Sequence, residues 1–171
     1  GGANYAKPCL VTPKVIEDLR ALVPLAPLHQ PYNVGAIEAV AERMPGVPQV
    51  ACFDTGFHRG QSAVAELVPL PAEIRAAGVQ RYGFHGMSHS YVSRKAAEYL
   101  KRPFNSLEIA SCHLGNGSSL CAIDHGRSVD TTMGFTPAEG LIMGTRCGDV
   151  DAGILAFLER SEGLTATQSE E

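Results

Sequence analysis

The sequence predicts an α/β fold, and three observations carry that prediction. Two strand-like runs, residues 107–114 and 119–123, are joined by Gly115-Asn116-Gly117-Ser118 and followed by the turn signal Asp124-His125-Gly126-Arg127, which reads as an antiparallel meander extending to about residue 131. Ser88 opens a helical stretch, residues 88–101, with apolar positions Tyr91, Val92, Ala96 and Tyr99 or Leu100. A short apolar run, residues 49–53, ends at Asp54-Thr55-Gly56, a strand delivering an acid and a glycine to one point. The 171 residues suit one domain or parts of two, and an apolar share of 44% is enough to bury a core.

The remaining elements follow in order. Thr12-Pro13 reads as an N-cap and a proline in the first helical turn, opening a short amphipathic helix to residue 22 that Pro24 stops. Three prolines over residues 24–31 predict an extended connection around Leu28 and His29. Asn33 is expected to cap a helix to about residue 43, ended by Pro45-Gly46-Val47-Pro48. Residues 60–80 read as irregular, with a weak helix near 71–77 closed by Gly78. Residues 134–148 read as loop, residues 150–160 as a final helix, and residues 166–171 as a polar end.

Charge and hydropathy exclude some partners. The net charge is -4 and no more than two basic residues are adjacent, so there is no electrostatic footprint for nucleic acid. The longest nearly apolar run, residues 21–28, contains two prolines and falls far short of the ~18 residues that span a bilayer. The first residues carry neither an initiator Met nor a basic and apolar leader, which suggests a processed or truncated chain. Five cysteines, Cys9, Cys52, Cys112, Cys121 and Cys147, are widely spaced without any C-x-x-C and read as reduced thiols of a cytoplasmic protein.

Glycine is the compositional outlier, with 18 in the chain and seven of them between Gly115 and Gly148. Leu114-Gly115-Asn116-Gly117-Ser118-Ser119 would let a backbone approach a phosphate with its N–H groups pointing inward. A plain Gly-rich hairpin turn is the competing reading. Residue 120 is Leu, and a strand follows, so a dinucleotide fingerprint fails. His85 and His89 have the spacing of two zincin ligands, but residue 86 is Gly where that motif needs Glu, and Gly86 argues that the helix starts later. His85, in a loop of glycines and aromatics, better suits donation to an anion. Arg146 sits in a Gly-rich loop ahead of Asp149 and Asp151; it either pairs with a capping Asp149 or faces a transferring phosphoryl group. Asp54 is either a solvated strand-end acid or a base or metal-linked carboxylate.

Taken in order, these pieces resemble the acetate and propionate kinase family. The resemblance rests on Ala26-Pro27-Leu28-His29-Gln30-Pro31, Phe53-Asp54-Thr55-Gly56-Phe57-His58, Arg81-Tyr82-Gly83-Phe84-His85-Gly86-Met87-Ser88-His89, His113-Leu114-Gly115-Asn116-Gly117-Ser118-Ser119, and Asp130-Thr131-Thr132-Met133-Gly134-Phe135-Thr136-Pro137 through Gly144-Thr145-Arg146-Cys147-Gly148-Asp149. It covers nearly the whole chain, although such kinases are more than twice as long. It implies the actin-like and sugar-kinase ATPase (ribonuclease H-like) fold in part. Residues 1–56 would be the C-terminal part of a first domain and residues 57–171 the N-terminal part of a second, duplicated one.

The same resemblance implies MgATP-dependent phosphorylation of a small carboxylate, acetate or propionate, by direct in-line transfer. Asp54 matches the essential acid near magnesium, His85 and Arg146 the pair that stabilises the transition state, and His29 a further active-site histidine. His113, Leu114, Gly115, Asn116 and Gly117 match the loop that holds ATP phosphates. Leu28, Phe84 and Pro137 match the apolar wall around the acyl methyl group. Gln30, Gly56 and Met87 depart mildly from the family pattern. The family's N-terminal phosphate motif, a substrate-binding arginine, the adenosine loops and a C-terminal magnesium-linked Glu have no counterpart, so the chain reads as cut on both sides and inactive alone. The full-length protein is expected to be a homodimer. A non-catalytic nucleotide-binding module of the same fold is the alternative, and a metal hydrolase a distant third.

Overall fold

The computed structural model describes residues 1–27 and 29–170. Its N-terminal part packs two helices on a small ribbon. Strand β1 (Cys9–Leu10) leads into helix α1 (Pro13–Ala21), then helix α2 (Gln30–Arg43), and strand β2 (Val50–Ala51) returns antiparallel to β1. Thr12 caps α1 as its sequence predicts, its hydroxyl accepting from Val15 N at 3.3 Å. Val15 and Leu19 of α1 meet Val34 of α2 and Phe53, against which Tyr5 stacks at 5.0 Å.

The start of α2 corrects the expectation of an Asn33 cap. The helix begins at Gln30 with Pro31 in its first turn, where a missing N–H costs nothing, and Gln30 Nε2 donates to Leu19 O at 3.0 Å, tying it to α1. The connection before it is also tighter than an extended segment, since Val23–Leu25 forms a 3-10 turn. Leu28 lies outside the described residues.

After β2 the chain makes a 3-10 turn at Gly56–His58 and two short helices, α3 (Ala63–Glu66) and α4 (Ala72–Ala76), of which only α4 was expected. Ser62 caps α3 by accepting from Ala65 N at 3.3 Å. The long helix α5 (Gly86–Leu100) starts two residues before its expected Ser88 cap. Its buried positions are Gly86, His89, Ser93 and Ala97, whereas Tyr91, Val92, Tyr99 and Leu100 are exposed. The apolar positions therefore do not mark its packed face; small and polar ones do.

The face it meets is the predicted meander. Strands β3 (Glu108–Leu114), β4 (Ser118–Asp124) and β5 (Arg127–Thr131) pair antiparallel in that order, with Leu114 opposite Ser118 across the Gly-rich turn. His125 and Gly126 both take positive φ, 50° and 82°, the pattern of a two-residue I′ hairpin turn. Strand β4 alternates, burying Ser119, Cys121 and Ile123 and leaving Leu120 and Ala122 outside. With Ser111, Ser128 and Thr131 the inner face of the sheet is rich in hydroxyls, completed by buried His58, His89 and Met133. Residues 132–151 are irregular, and helix α6 (Ala152–Glu162) precedes a short α7 (Ala166–Glu170). Asp151 caps α6 by accepting from Gly153 N at 2.8 Å, so that helix starts two residues beyond its expected position.

Candidate active site

A cleft of about 670 Å³ lies between the N-terminal helices and the meander, in the size range of small-molecule sites. His29, Asp54, Phe84, His85, Asn116, Gly117, Pro137 and Arg146 all line it. Sequence-predicted site residues from five separate segments thus reach one cavity.

Asp54 and His85 are positioned by each other. The end of the β2 run brings Asp54 to the start of α5, where its Oδ2 accepts the His85 backbone N–H at 2.8 Å and its carbonyl accepts Gly86 N–H at 2.8 Å. His85 takes a left-handed conformation, φ 57° and ψ 22°, as the residue before the helix. Such a conformation is rare for a side chain with a Cβ and is characteristically retained at functional sites. Gly86 allows the approach: a methyl group there would lie 2.5 Å from Asp54 O.

Gly117 has a comparable role in front of the site. A methyl group at Gly117 would sit 3.1 Å from Arg146 Nη1, 3.1 Å from His85 Cε1 and 3.1 Å from His85 Nε2. The loop backbone, the imidazole and the guanidinium therefore close around one small volume. Arg146 Nη1 donates to Pro137 O at 3.2 Å, and no carboxylate pairs with the guanidinium among the described residues. Asp149 instead accepts from Gly140 N at 2.8 Å, which removes the reading in which it caps α6 and pairs with Arg146.

His113, Leu114 and Gly115 lie off the cleft wall. His113 backs the site: its ring stacks on His85 with centroids 3.9 Å apart and planes at 21°, and its Nδ1 meets Ser88 Oγ at 2.8 Å. Leu114, on the other side of the strand, is 74% exposed. Phe84 and Pro137 do line the cavity, joined by Tyr82 and Phe135. Those two aromatics were not assigned a role from the sequence, although both fall within quoted motifs.

Behind the cleft lies a layer whose pairing the sequence does not show: His89 reads as a helix-start histidine satisfied by backbone, whereas its partners are the Ser111 and Ser119 hydroxyls. His58 Nε2 donates to Phe84 O at 2.8 Å, which leaves Nδ1 bare to accept from Ser128 Oγ at 2.8 Å, and Gln61 Nε2 donates to the same hydroxyl at 2.8 Å. His89, fully buried, places Nδ1 3.0 Å from Ser111 Oγ and Nε2 2.8 Å from Ser119 Oγ; Ser119 Oγ in turn lies 2.9 Å from His85 Nδ1. Burial is the largest cause lowering the pKa of each of these three histidines. For His85 the neighbouring His113 and Arg146 add to it and Asp54 opposes it, while His89 falls to about 4. All three are neutral at pH 7, so hydrogen bonds rather than ion pairs hold the network.

The fold and the site together define a class: an α/β ATPase fold of the actin-like type, present in part. Solved structures of the same architecture are the acetate kinase of Porphyromonas gingivalis, with TM-score 0.92 and 43% identity over 98% of this chain and 42% of that one, and a propionate kinase from Francisella tularensis, with TM-score 0.92 and 38% identity over 99% of this chain and 44% of that one. Among sequence relatives, the acetate kinase of Deinococcus radiodurans is 53% identical over 169 residues and that of Microcystis aeruginosa 52% identical over 160. The chain spans 42% and 40% of the lengths of those two relatives. The model of the Acetokinase family matches residues 1–171, and the chain belongs to that family.

Proposed function

We propose that this chain is a segment of an acetate kinase, transferring the γ-phosphoryl group of ATP to acetate to give acetyl phosphate and ADP. The observation that supports this best is the convergence of His85 Nε2, Arg146 Nη1 and the Gly117 backbone on one point of a cleft that also holds Asp54. In phosphoryl transfer, charge spreads over three equatorial oxygens, and catalysis is mostly positioning and electrostatic stabilisation. Arg146 supplies a permanent cation with no competing carboxylate among the described residues. His85 supplies a neutral donor, and Asn116 and Gly117, which line the cleft, face the phosphates. His113 holds the His85 ring flat from behind. His29, exposed at the start of α2, stands at the cleft mouth.

The donor set fits a magnesium ion bound chiefly through nucleotide oxygens. Asp54 is the carboxylate on the cleft wall, and one carboxylate suits Mg²⁺, which uses one or two of them plus phosphates and water. When bound, the ion neutralises phosphate charge. Phe84 and Pro137 form the apolar side of the acyl pocket. We read residues 1–56 as the end of one domain and residues 57–171 as the opening of a second, so that the cleft is an interdomain one, in a cytoplasmic homodimer. Propionate is the competing acceptor, favoured by the likeness to the Francisella enzyme; one methylene discriminates by only ~1–3 kcal/mol, so relative kcat/KM for the two acids decides it.

The test is a hydroxamate assay on the full-length protein. Arg146→Ala and His85→Ala should each lower kcat by on the order of 10³-fold or more with little change in the KM for ATP, since both act on the transition state. Near-normal turnover in either variant would refute the assignment.

A further inference from the structure

Ser119 is fully buried at the junction of two imidazoles, 2.9 Å from His85 Nδ1 and 2.8 Å from His89 Nε2. Its hydroxyl has one proton, so it donates to one ring nitrogen and accepts from the other. The protonation states of His85 Nδ1 and His89 Nε2 are thereby complementary: one carries hydrogen and the other is bare. His89 Nδ1 meets a second buried hydroxyl, Ser111, at 3.0 Å, which passes the same constraint one step further. Two hydrogen-bond orders are open to the chain; they differ in what His85 shows the cleft and in whether the buried Ser111 hydroxyl, which has no other partner among the described residues, can donate its proton. If Ser111 donates to His89 Nδ1, then His89 Nε2–H donates to Ser119, Ser119 donates to His85 Nδ1, and His85 Nε2–H faces outward. In the reverse order His85 Nε2 is bare and repels an anion.

We propose that Ser119 and His89 are positioning residues: the buried Ser111–His89–Ser119 chain sets the tautomer of His85, so that a phosphoryl oxygen in the cleft meets a neutral Nε2–H donor. The inference rests on the phosphotransferase reading. An imidazole held only by its ring packing would interconvert tautomers freely; one tied at Nδ1 to a buried hydroxyl chain changes tautomer only if the three hydrogen bonds of the chain reverse together, with His85 Nε2 losing its proton to the cleft and Ser111 regaining one. The groups facing His85 are His113 stacked on its ring, Asp54 at its backbone, Arg146 beside the Gly117 loop, and His58 behind, and none of them is a hydrogen-bond partner of its ring nitrogens among the described residues. Ser119 therefore couples the tautomer of His85 to that of His89, and the order in which Ser111 donates is the one that turns His85 Nε2–H outward.

The test is ¹⁵N NMR of histidine side chains in the full-length protein, with inorganic phosphate as the probe and His85→Gln to assign the resonances. Expected are a bare Nδ1 and a protonated Nε2 for His85 in the phosphate complex, and averaged tautomer shifts in Ser119→Ala. In the same protein Ser119→Ala should lower kcat on the order of 10- to 100-fold with the KM for ATP unchanged, and Ser119→Cys, with its weaker donor, should lie between. Adding His85→Ala to Ser119→Ala should cost no more than His85→Ala alone, because both act through one ring. A protonated Nδ1 on His85 in the wild-type phosphate complex overturns the proposal whatever the variants do, and so do additive losses. Wild-type protein that forms no acyl phosphate overturns the kinase reading, while the tautomer measurement still decides the relay.

Discussion

Gly117→Ala separates catalytic geometry from stability. Gly117 has an ordinary negative-φ backbone and is not in the left-handed region, so alanine fits the local conformation. The atoms nearest the added methyl group are the tips of two side chains, Arg146 Nη1 and the His85 ring, each at 3.1 Å. Carbon contacts are comfortable near ~3.5–4.0 Å, so both groups must retreat by roughly 0.5 Å. A misplacement of ~1 Å at reacting groups costs on the order of 10²-fold, so half of that predicts a kcat loss of about tenfold, or ~1.4 kcal/mol. Steady-state acyl hydroxamate kinetics and a thermal melt of the full-length protein provide the check. We expect kcat to fall, KM for acetate and ATP to move within about twofold, and Tm to stay within about 2 °C. Unchanged kcat would show that the loop does not crowd the reacting groups. A loss confined to the KM for ATP would show instead that the glycine serves phosphate binding alone.

Gly86→Ala should behave in the opposite way, because its methyl group would strike the Asp54 carbonyl at 2.5 Å and Phe57 Cβ at 3.0 Å, neither of which is a flexible tip. A stability loss of ~1–3 kcal/mol is expected in urea unfolding, and an unchanged midpoint would contradict it. Acidification should destabilise the protein through His89: its pKa is about 4 when folded, against ~6.5 in an unfolded chain, so the unfolded state takes up the proton first as pH falls below 6.5. The stability is intact above pH 6.5 and is lost progressively towards pH 4, by about 2 kcal/mol at pH 5 and ~3 kcal/mol at the limit. His89→Gln should flatten the pH dependence of the urea midpoint by that amount, and a parallel curve would remove His89 as the cause.

What was legible in the sequence was legible for local reasons. The meander follows from turn chemistry at Gly115–Gly117 and His125-Gly126, and α1 from a Thr-Pro start, signals contained within a few residues. The start of α2 was missed although Pro31 is a first-turn signal, because three prolines suggested an extended connection. The start of α5 depends on Asp54, distant in sequence, whose carboxylate and carbonyl take the N–H groups of His85 and Gly86; no local pattern encodes that. Strand β1 is only two residues long and exists by pairing with β2. Within the site, glycines and charged residues announced themselves, whereas Ser111 and Ser128 looked like neutral strand positions and Ser119 like a donor to a phosphate, although it is buried against His85 and His89. Their function appears only when the strand alternation turns them inward against histidines.

That inward face links the fold to its chemistry. A helix packed on a sheet for stability alone would meet it with branched apolar side chains, since buried hydrogen-bonded pairs contribute little net stabilisation and leave a penalty when one partner is lost. Here α5 presents Gly86, His89 and Ser93, and the sheet answers with Ser111 and Ser119. Small residues let the helix come close, and short side chains place each hydroxyl against a ring nitrogen, which orients the imidazoles. His58 fixes the Phe84 carbonyl, Asp54 fixes the next N–H, and Ser119 holds the ring between them, so that His85 is constrained at its preceding carbonyl, its own amide and its Nδ1. A left-handed residue so tightly held is placed by the fold before any ligand arrives. The polar seam is thus better explained by preorganisation of one donor than by the stability of the core.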